Sequence, residues 1–183
     1  VARCPYRISL LGGGSDLDWF TELGNQGSCL GFSIQEYSHV CTKFSEEKKC
    51  ILNYSNRETY ESIETISHPL IREAFLELKL NKFIELASFG THSSGGGMGG
   101  SSSFLNALLA SLMKLNKLKI EKELIAEISC KIEIEKLNKK VGRQDQYLTS
   151  LGGINFLNFS PRRQVSKKIE FTKNMQINFA KYI

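Results

Sequence analysis

Proline is scarce, with three in 183 residues, and there are one tryptophan and three histidines. Fifteen glycines with so little proline exclude a collagen-like or Pro-rich disordered chain. No run approaches the roughly 20 apolar residues that cross a bilayer, so no membrane partner is expected. The opening residues hold Arg3 and Pro5 rather than a signal-peptide pattern, and the expectation is a soluble, cytoplasmic protein. The five cysteines (Cys4, Cys29, Cys41, Cys50 and Cys130) form no CxxC pair, and His39, His68 and His92 are scattered. A zinc–thiolate site is therefore excluded. Cys29 and Cys41 lie in apolar, strand-like runs and Cys130 on a helix, so all read as small buried hydrophobes in a reducing compartment.

What is present is ordinary globular composition, 41% hydrophobic and 23% charged, enough for about one domain or one domain and part of a second. The net charge is +5, and residues 160–183 carry all of it: six basic residues (Arg162, Arg163, Lys167, Lys168, Lys173, Lys181) against Glu170. A nucleic-acid binder would carry its basic stripe on the folded body, so no nucleic-acid partner is expected.

The first half reads as strands. Residues 3–11 are β-like and end in Gly12-Gly13-Gly14. Residues 29–44 and 50–54 are aromatic and β-branched, and the turn-forming stretch 45–49 between them predicts a hairpin. His68-Pro69 opens a helix through Leu70, Ile71, Ala74, Phe75 and Leu78, followed by a strand over 83–87. Past the small-residue stretch 90–100, Phe104, Leu105, Leu108, Leu109 and Leu112 recur at helical spacing. A second helix is predicted over 121–137, a third near Gln144, and strands over 154–159 and 177–183. The Lys/Glu content of 121–137 falls short of a coiled coil and reads as a solvated face. Strands and helices in this order give an α+β class.

The strongest local signal is Gly95-Gly96-Gly97-Met98-Gly99-Gly100-Ser101-Ser102-Ser103, directly before an apolar helix. Glycines free backbone N–H groups to face a ligand, and a helix N-terminus adds unpaired donors and partial positive charge. Together they make a phosphate cradle; the plainer alternative is a serine-capped loop. No lysine stands in the loop, which excludes a Walker motif. Gly95, Gly97 and Gly100 fit GxGxxG, but the acidic residue a dinucleotide fold needs about 20 positions on, at a strand end, is missing.

Two more clusters accompany the loop: Pro5-Tyr6-Arg7-Ile8-Ser9-Leu10-Leu11-Gly12-Gly13-Gly14-Ser15-Asp16, and Glu133 ahead of Gly142-Arg143-Gln144-Asp145-Gln146-Tyr147 and Gly152-Gly153. In this order they resemble the GHMP kinase superfamily. Within it, the runs 7–16, 66–73 (Ile-Ser-His-Pro-Leu-Ile-Arg-Glu), 144–147 and 152–156 resemble the sugar kinases of the D-glycero-D-manno-heptose 7-phosphate kinase type. The resemblance spans nearly the whole chain.

That resemblance implies a GHMP-kinase N-terminal domain, a mixed sheet packed against helices, over residues 1–160. Residues 161–183 would begin a second domain or tail, most of that domain being absent. It implies an ATP- and Mg²⁺-dependent phosphotransferase with an alcohol acceptor: the anomeric hydroxyl of a sugar phosphate, with D-glycero-D-manno-heptose 7-phosphate as the subgroup's acceptor. Gly95 to Ser103 would hold the triphosphate. Asp145 would orient or deprotonate the hydroxyl, and Arg7 would face the transferred group and keep Asp145 ionised. Glu133, rather than its rival Glu135, would hold Mg²⁺ together with Ser101, as hard oxygen donors do. Gly13, Gly14, Ser15 and Asp16 would meet the sugar. The partners implied are ATP and a small sugar or sugar phosphate, with the oligomeric state open and a homodimer among the options.

Three departures stand out. Gly100 stands where the family often has serine, Ser93-Ser94 replace the usual proline, and the second domain with its own glycine loop is missing. The chain alone is therefore expected to turn over poorly. A non-catalytic nucleotide-binding module, or a kinase for another sugar such as fucose, is the alternative. His92 reads as a bystander and His68 as a helix start.

Overall fold

The computed structural model describes residues 1–91, 96–160 and the backbone of 163–169. Its centre is one long strand, β2 (Gly27–Phe44). Strand β1 (Ala2–Leu11) runs antiparallel along one edge of it, from Ala2 opposite Val40 to Leu11 opposite Leu30. The other edge is shared. Strand β5 (Ile84–Gly90) takes residues 38–44, and β6 (Ile154–Ser160) takes 27–32. Between them Ser33 donates to Gly153 and Thr91 donates to Tyr37. The sheet is completed by β3 (Cys50–Asn53), β4 (Arg57–Tyr60) and β7 (Arg163–Ile169), in the order β4-β3-β5-β2-β6-β7 with β1 beside β2.

This arrangement corrects the expected hairpin. Strand β3 pairs antiparallel with β4 and parallel with β5, so β5 lies between β3 and β2. Residues 45–49 turn the chain over that inserted strand. Local turn signals cannot reveal a strand inserted from later in the chain. Strand β7 pairs with β6 beyond residue 160, while the expected strand over 177–183 lies outside the described residues.

Period-two burial sets one face of the sheet inward. Asn155, Leu157 and Phe159 of β6 are buried, whereas Phe156 and Asn158 are exposed. Helix α3 (Gly100–Leu115) packs on that inner face, with Leu105, Leu108, Leu109 and Leu112 fully buried. Each such side chain contributes roughly 1.5–3 kcal/mol of burial. Around α3 lie α2 (Pro69–Glu77), α4 (Lys122–Cys130) and α5 (Gln144–Leu151); the short α1 (Asp18–Glu22) follows the first glycine run. Helix α2 starts where expected, with Pro69 in its first turn and the His68 ring accepting from the Ile71 N–H.

The long second helix is not one α-helix. It passes into a π-helical turn over Lys131–Lys136. Such wide turns often mark functional positions, and this one turns Glu133 inward. Among the cysteines, Cys4, Cys29 and Cys50 are buried, and burial pushes the Cys4 and Cys29 thiols up to about 12. Cys41 is exposed, contrary to expectation, because it stands on the uncovered sheet face, and Cys130 is half-buried. Among the described residues no helix is long and apolar enough to cross a membrane.

Candidate active site

The end of β1, the N-terminus of α3, the π-helical turn and the start of α5 meet at one corner of the sheet. Arg7 projects from β1, with its side chain 11% exposed. Its Nε donates to Asp145 Oδ1 at 2.7 Å and its Nη2 to Oδ2 at 2.6 Å, a bidentate fork. Its Nη1 donates to the Gly97 carbonyl at 2.6 Å, and its backbone N–H donates to the Met98 carbonyl at 3.1 Å. One arginine thus ties the glycine loop to α5.

The loop enters α3 through Gly99, at φ 70°, a left-handed conformation that favours glycine. A side chain there would also approach Arg7 Cγ at 3.1 Å. Gly100 has little spare room either: a Cβ would stand 3.3 Å from the Tyr6 ring. That contact is the local reason the serine common in the family at this position would be crowded here. Gly96 and Gly97 are exposed, as a cradle requires, and Gly95 and His92 lie outside the described residues.

The serines divide in a way the sequence did not foretell. Ser102 and Ser103 are buried. Ser102 Oγ donates to Glu133 Oε2 at 2.8 Å, and Ser103 Oγ to the Cys4 carbonyl at 2.8 Å. Their hydroxyls anchor α3 rather than facing the loop, and the Ser103 N–H is itself taken by the Gly99 carbonyl at 2.8 Å. Ser101 alone of the three is exposed, and it donates to Glu133 Oε1 at 2.7 Å.

Glu133 is 2% exposed while Glu135 is on the surface, which separates the two rivals. Besides the serines it accepts from Gln146 Nε2 at 2.7 Å and Lys139 Nζ at 2.8 Å. Burial opposes its charge, but the hydrogen bonds from Lys139, Ser101 and Ser102 and the Lys139 charge prevail and hold its carboxyl below the usual range. Asp145 goes the other way. Burial raises its carboxyl above the ordinary aspartate value, and the Arg7 charge and fork offset this only in part. Arg7 favours the ionised form of Asp145, and burial opposes it as the larger influence.

The first glycine run forms a tight turn fixed by side chains. Ser15 Oγ donates to the Gly12 carbonyl at 2.7 Å and accepts from the Ser28 N–H at 3.1 Å. Asp16 is 2% exposed; its Oδ1 accepts from the Gly14 N–H at 3.0 Å and its Oδ2 from the Gln144 N–H at 2.9 Å. Asp16 thus joins the turn to α5 through backbone amides, and both its oxygens are engaged away from solvent. An open cleft of about 470 Å³ runs between the turn and the loop, lined by Arg7, Ser9, Gly12, Gly13, Gly97 and Gln144 among others. Ser9 Oγ donates to Gln144 Oε1 at 2.8 Å across its wall.

The structure therefore brings Arg7, Asp145, Glu133, Ser101 and the glycine loop together. Sequence reasoning passed over Gln144, Gln146 and Lys139. The two glutamines flank Asp145 in a segment already singled out, whereas Lys139 was hidden in a Lys/Glu-rich run.

Residues 63–153 match the family described as GHMP kinases N terminal domain. The chain carries that domain and belongs to the GHMP kinases. It is 28% identical over 176 residues to D-glycero-alpha-D-manno-heptose 7-phosphate kinase of Campylobacter jejuni, a match covering 89% of this chain and 51% of that protein. It thus spans about half the length of this curated relative. A D-glycero-D-manno-heptose 1-phosphate kinase from Bacteriodes thetaiotaomicron superposes with a TM-score of 0.86 at 20% identity, over 94% of this chain and 60% of that one. Lactococcus lactis galactokinase complexed with galactose gives 0.74 at 18%, over 93% and 48%. At these identities the two structures establish the fold.

Proposed function

We propose that this chain is the nucleotide-binding part of an ATP-dependent sugar kinase that phosphorylates the anomeric hydroxyl of a heptose 7-phosphate. The observation that carries the reading is the Arg7–Asp145 fork, set against the Gly97 carbonyl beside the N-terminus of α3. Phosphoryl transfer needs held phosphates and an aligned hydroxyl rather than covalent help. Backbone N–H groups of the glycine loop and the first turn of α3, from Gly96 through Ser102, bind the phosphates. Asp145 accepts the proton of the attacking hydroxyl, and its raised carboxyl makes it a stronger base than an ordinary aspartate. Each of its oxygens has a second lone pair beyond the one Arg7 uses. Arg7 holds that carboxylate in place and sets a fixed positive charge beside the developing negative one.

Glu133 Oε1 and Ser101 Oγ are hard oxygen donors that already share one cation, the Lys139 ammonium, so the donor set fits Mg²⁺. When bound there, that ion would neutralise charge on the phosphates. Among the described residues no cluster of three or more His, Cys, Asp or Glu side chains suits a metal, so phosphate oxygens and water would complete its shell. Gly13 lines the acceptor side of the cleft, and Gly14, Ser15 and Asp16 act there by fixing the turn. The heptose is taken from the name of the Campylobacter relative, and the cleft has the volume of a small-molecule site. A nucleotide substrate and unpaired cysteines suit the cytoplasm.

The test is an ATP-consumption screen against heptose 7-phosphates and free hexoses, fucose included. It is run on this chain and on a polypeptide extending it to the length of its relatives. ADP release dependent on heptose 7-phosphate, faster from the longer polypeptide, is the expected result. Release with a free hexose instead reassigns the acceptor. Nucleotide binding with no ADP across the panel identifies a non-catalytic module.

A further inference from the structure

Lys139 stands three residues past the π-helical turn, and its backbone path is unusual. Asn138 takes φ 49°, a left-handed conformation uncommon for a residue other than glycine. The reversal lets the Lys139 N–H donate to the Glu133 carbonyl at 3.0 Å and folds its side chain back over the same residue. Its Nζ then lies 2.8 Å from Glu133 Oε1 and 3.1 Å from Ser101 Oγ. These are the two oxygens assigned above to a divalent cation. The other carboxylate oxygen is closed by Ser102 and Gln146, both neutral donors. Lys139 is thus the countercharge in direct contact with a carboxylate that is 2% exposed. A buried carboxylate without one is costly. The lysine side chain remains 32% exposed on a flexible stem, so it has a path out to water.

Resting on the reading of Glu133 and Ser101 as a cation site, we propose that Lys139 is a tethered counter-cation that occupies that site until a divalent ion displaces it. The ammonium balances Glu133 while the site holds no metal, and it leaves when the ion arrives. Divalent binding is weakened by the cost of displacing it. The same linkage makes the folded chain less dependent on metal for its stability.

The test uses Mn²⁺ as the probe, followed by electron paramagnetic resonance of free Mn²⁺ and by thermal unfolding of the full chain. Two variants are compared: Lys139→Met, which removes the charge, and Lys139→Gln, which keeps a donor for Glu133. The expected result is Mn²⁺ affinity raised about tenfold in both, equivalent to about 1.4 kcal/mol. Lys139→Met should also melt lower than the parent in EDTA and gain more from saturating Mn²⁺. Unchanged or weaker Mn²⁺ binding in both variants, with binding lost in Glu133→Gln, overturns the role of Lys139 alone. Mn²⁺ binding to Glu133→Gln as tight as to the parent overturns the cation site itself.

Discussion

Arg7 and Asp145 are separated by 138 residues and meet in a two-bond fork of 2.7 and 2.6 Å at the mouth of helix α3. Strand β1 fixes one partner and the first turn of α5 the other. The third nitrogen of the arginine, on the Gly97 carbonyl, makes the glycine loop part of the same unit. A carboxylate and a guanidinium are therefore held in fixed geometry beside the open cleft before any ligand arrives, the kind of preorganisation that electrostatic catalysis requires.

Asp145→Asn keeps the shape of the side chain but removes the base and replaces one acceptor of the Arg7 fork with a donor. If Asp145 takes the proton of the attacking hydroxyl, kcat should fall by about 10²–10⁴ while nucleotide affinity changes little. Steady-state kinetics together with calorimetric titration of a non-hydrolysable ATP analogue measure the two quantities separately. A large loss of nucleotide affinity with kcat preserved would assign Asp145 to phosphate-loop support instead.

His68 offers a pH dependence with a definite sign. Burial, the largest influence, pushes its imidazole below the ordinary histidine value, and the nearby Lys139 charge acts in the same direction. The neutral ring accepts from the Ile71 N–H at the start of α2, which an imidazolium could not do through the same nitrogen. A folded value below the unfolded one contributes stability above about pH 6.5, and that contribution is lost as pH falls through the folded value. The parent should therefore lose more melting temperature between pH 7 and 5 than His68→Asn, which keeps an acceptor at the cap without titrating. Parallel thermal melts across that range make the comparison.

Much of this fold could be read from local pattern. The period of Leu105, Leu108, Leu109 and Leu112 marked α3, and His68-Pro69 marked the start of α2. Strand order was another matter. Placing β5 between β2 and β3 depends on residues 84–90 returning to a sheet laid down by residues 27–53, and nothing in the intervening turns records it. The candidate site was legible through motifs whose residue types suit the chemistry, Arg7, Asp145 and the glycine loop above all. Direction was not. Serines 101, 102 and 103 look alike in sequence, but a helix turns successive side chains by about 100°, and two of the three point into the core. Glu133 and Glu135 differ in direction too, the π-helical turn aiming one inward and leaving the other on the surface.

Gly142 and Asp16 form a contact that admits no side chain. A Cβ at Gly142 would stand 1.9 Å from Asp16 Oδ2, the oxygen that receives the Gln144 N–H. Gly142→Ala should destabilise the fold by about 1–3 kcal/mol, the usual cost of overpacking. Removing the obstacle first should relieve much of that cost. In an Asp16→Ala background the added methyl has room, so a double-mutant cycle by urea denaturation should show strong non-additivity. Additive costs would mean that the methyl strains the backbone rather than the carboxylate.

Asn106 lies under the site, fully buried midway along α3. Its Nδ2 donates to the Gln146 carbonyl and to Thr149 Oγ1, both at 2.8 Å, and its Oδ1 accepts from Ser129 Oγ. One amide thereby connects α3 to α4 and to the helix that carries Asp145. Asn106→Leu fills similar space but leaves the Ser129 hydroxyl and the Gln146 carbonyl without this partner. Each unsatisfied buried group costs about 1–3 kcal/mol, so a loss of several kcal/mol in urea denaturation is expected. Ser129→Ala removes one of the stranded groups and should recover part of that loss when combined with Asn106→Leu. Because α5 is held to α3 through this amide, the single variant should also loosen the Arg7–Asp145 fork. Hydrogen exchange of the α5 amides should rise relative to those of α2, which shares none of these bonds. Uniformly faster exchange over both helices would show that Asn106 supports global stability alone and has no special hold on the site.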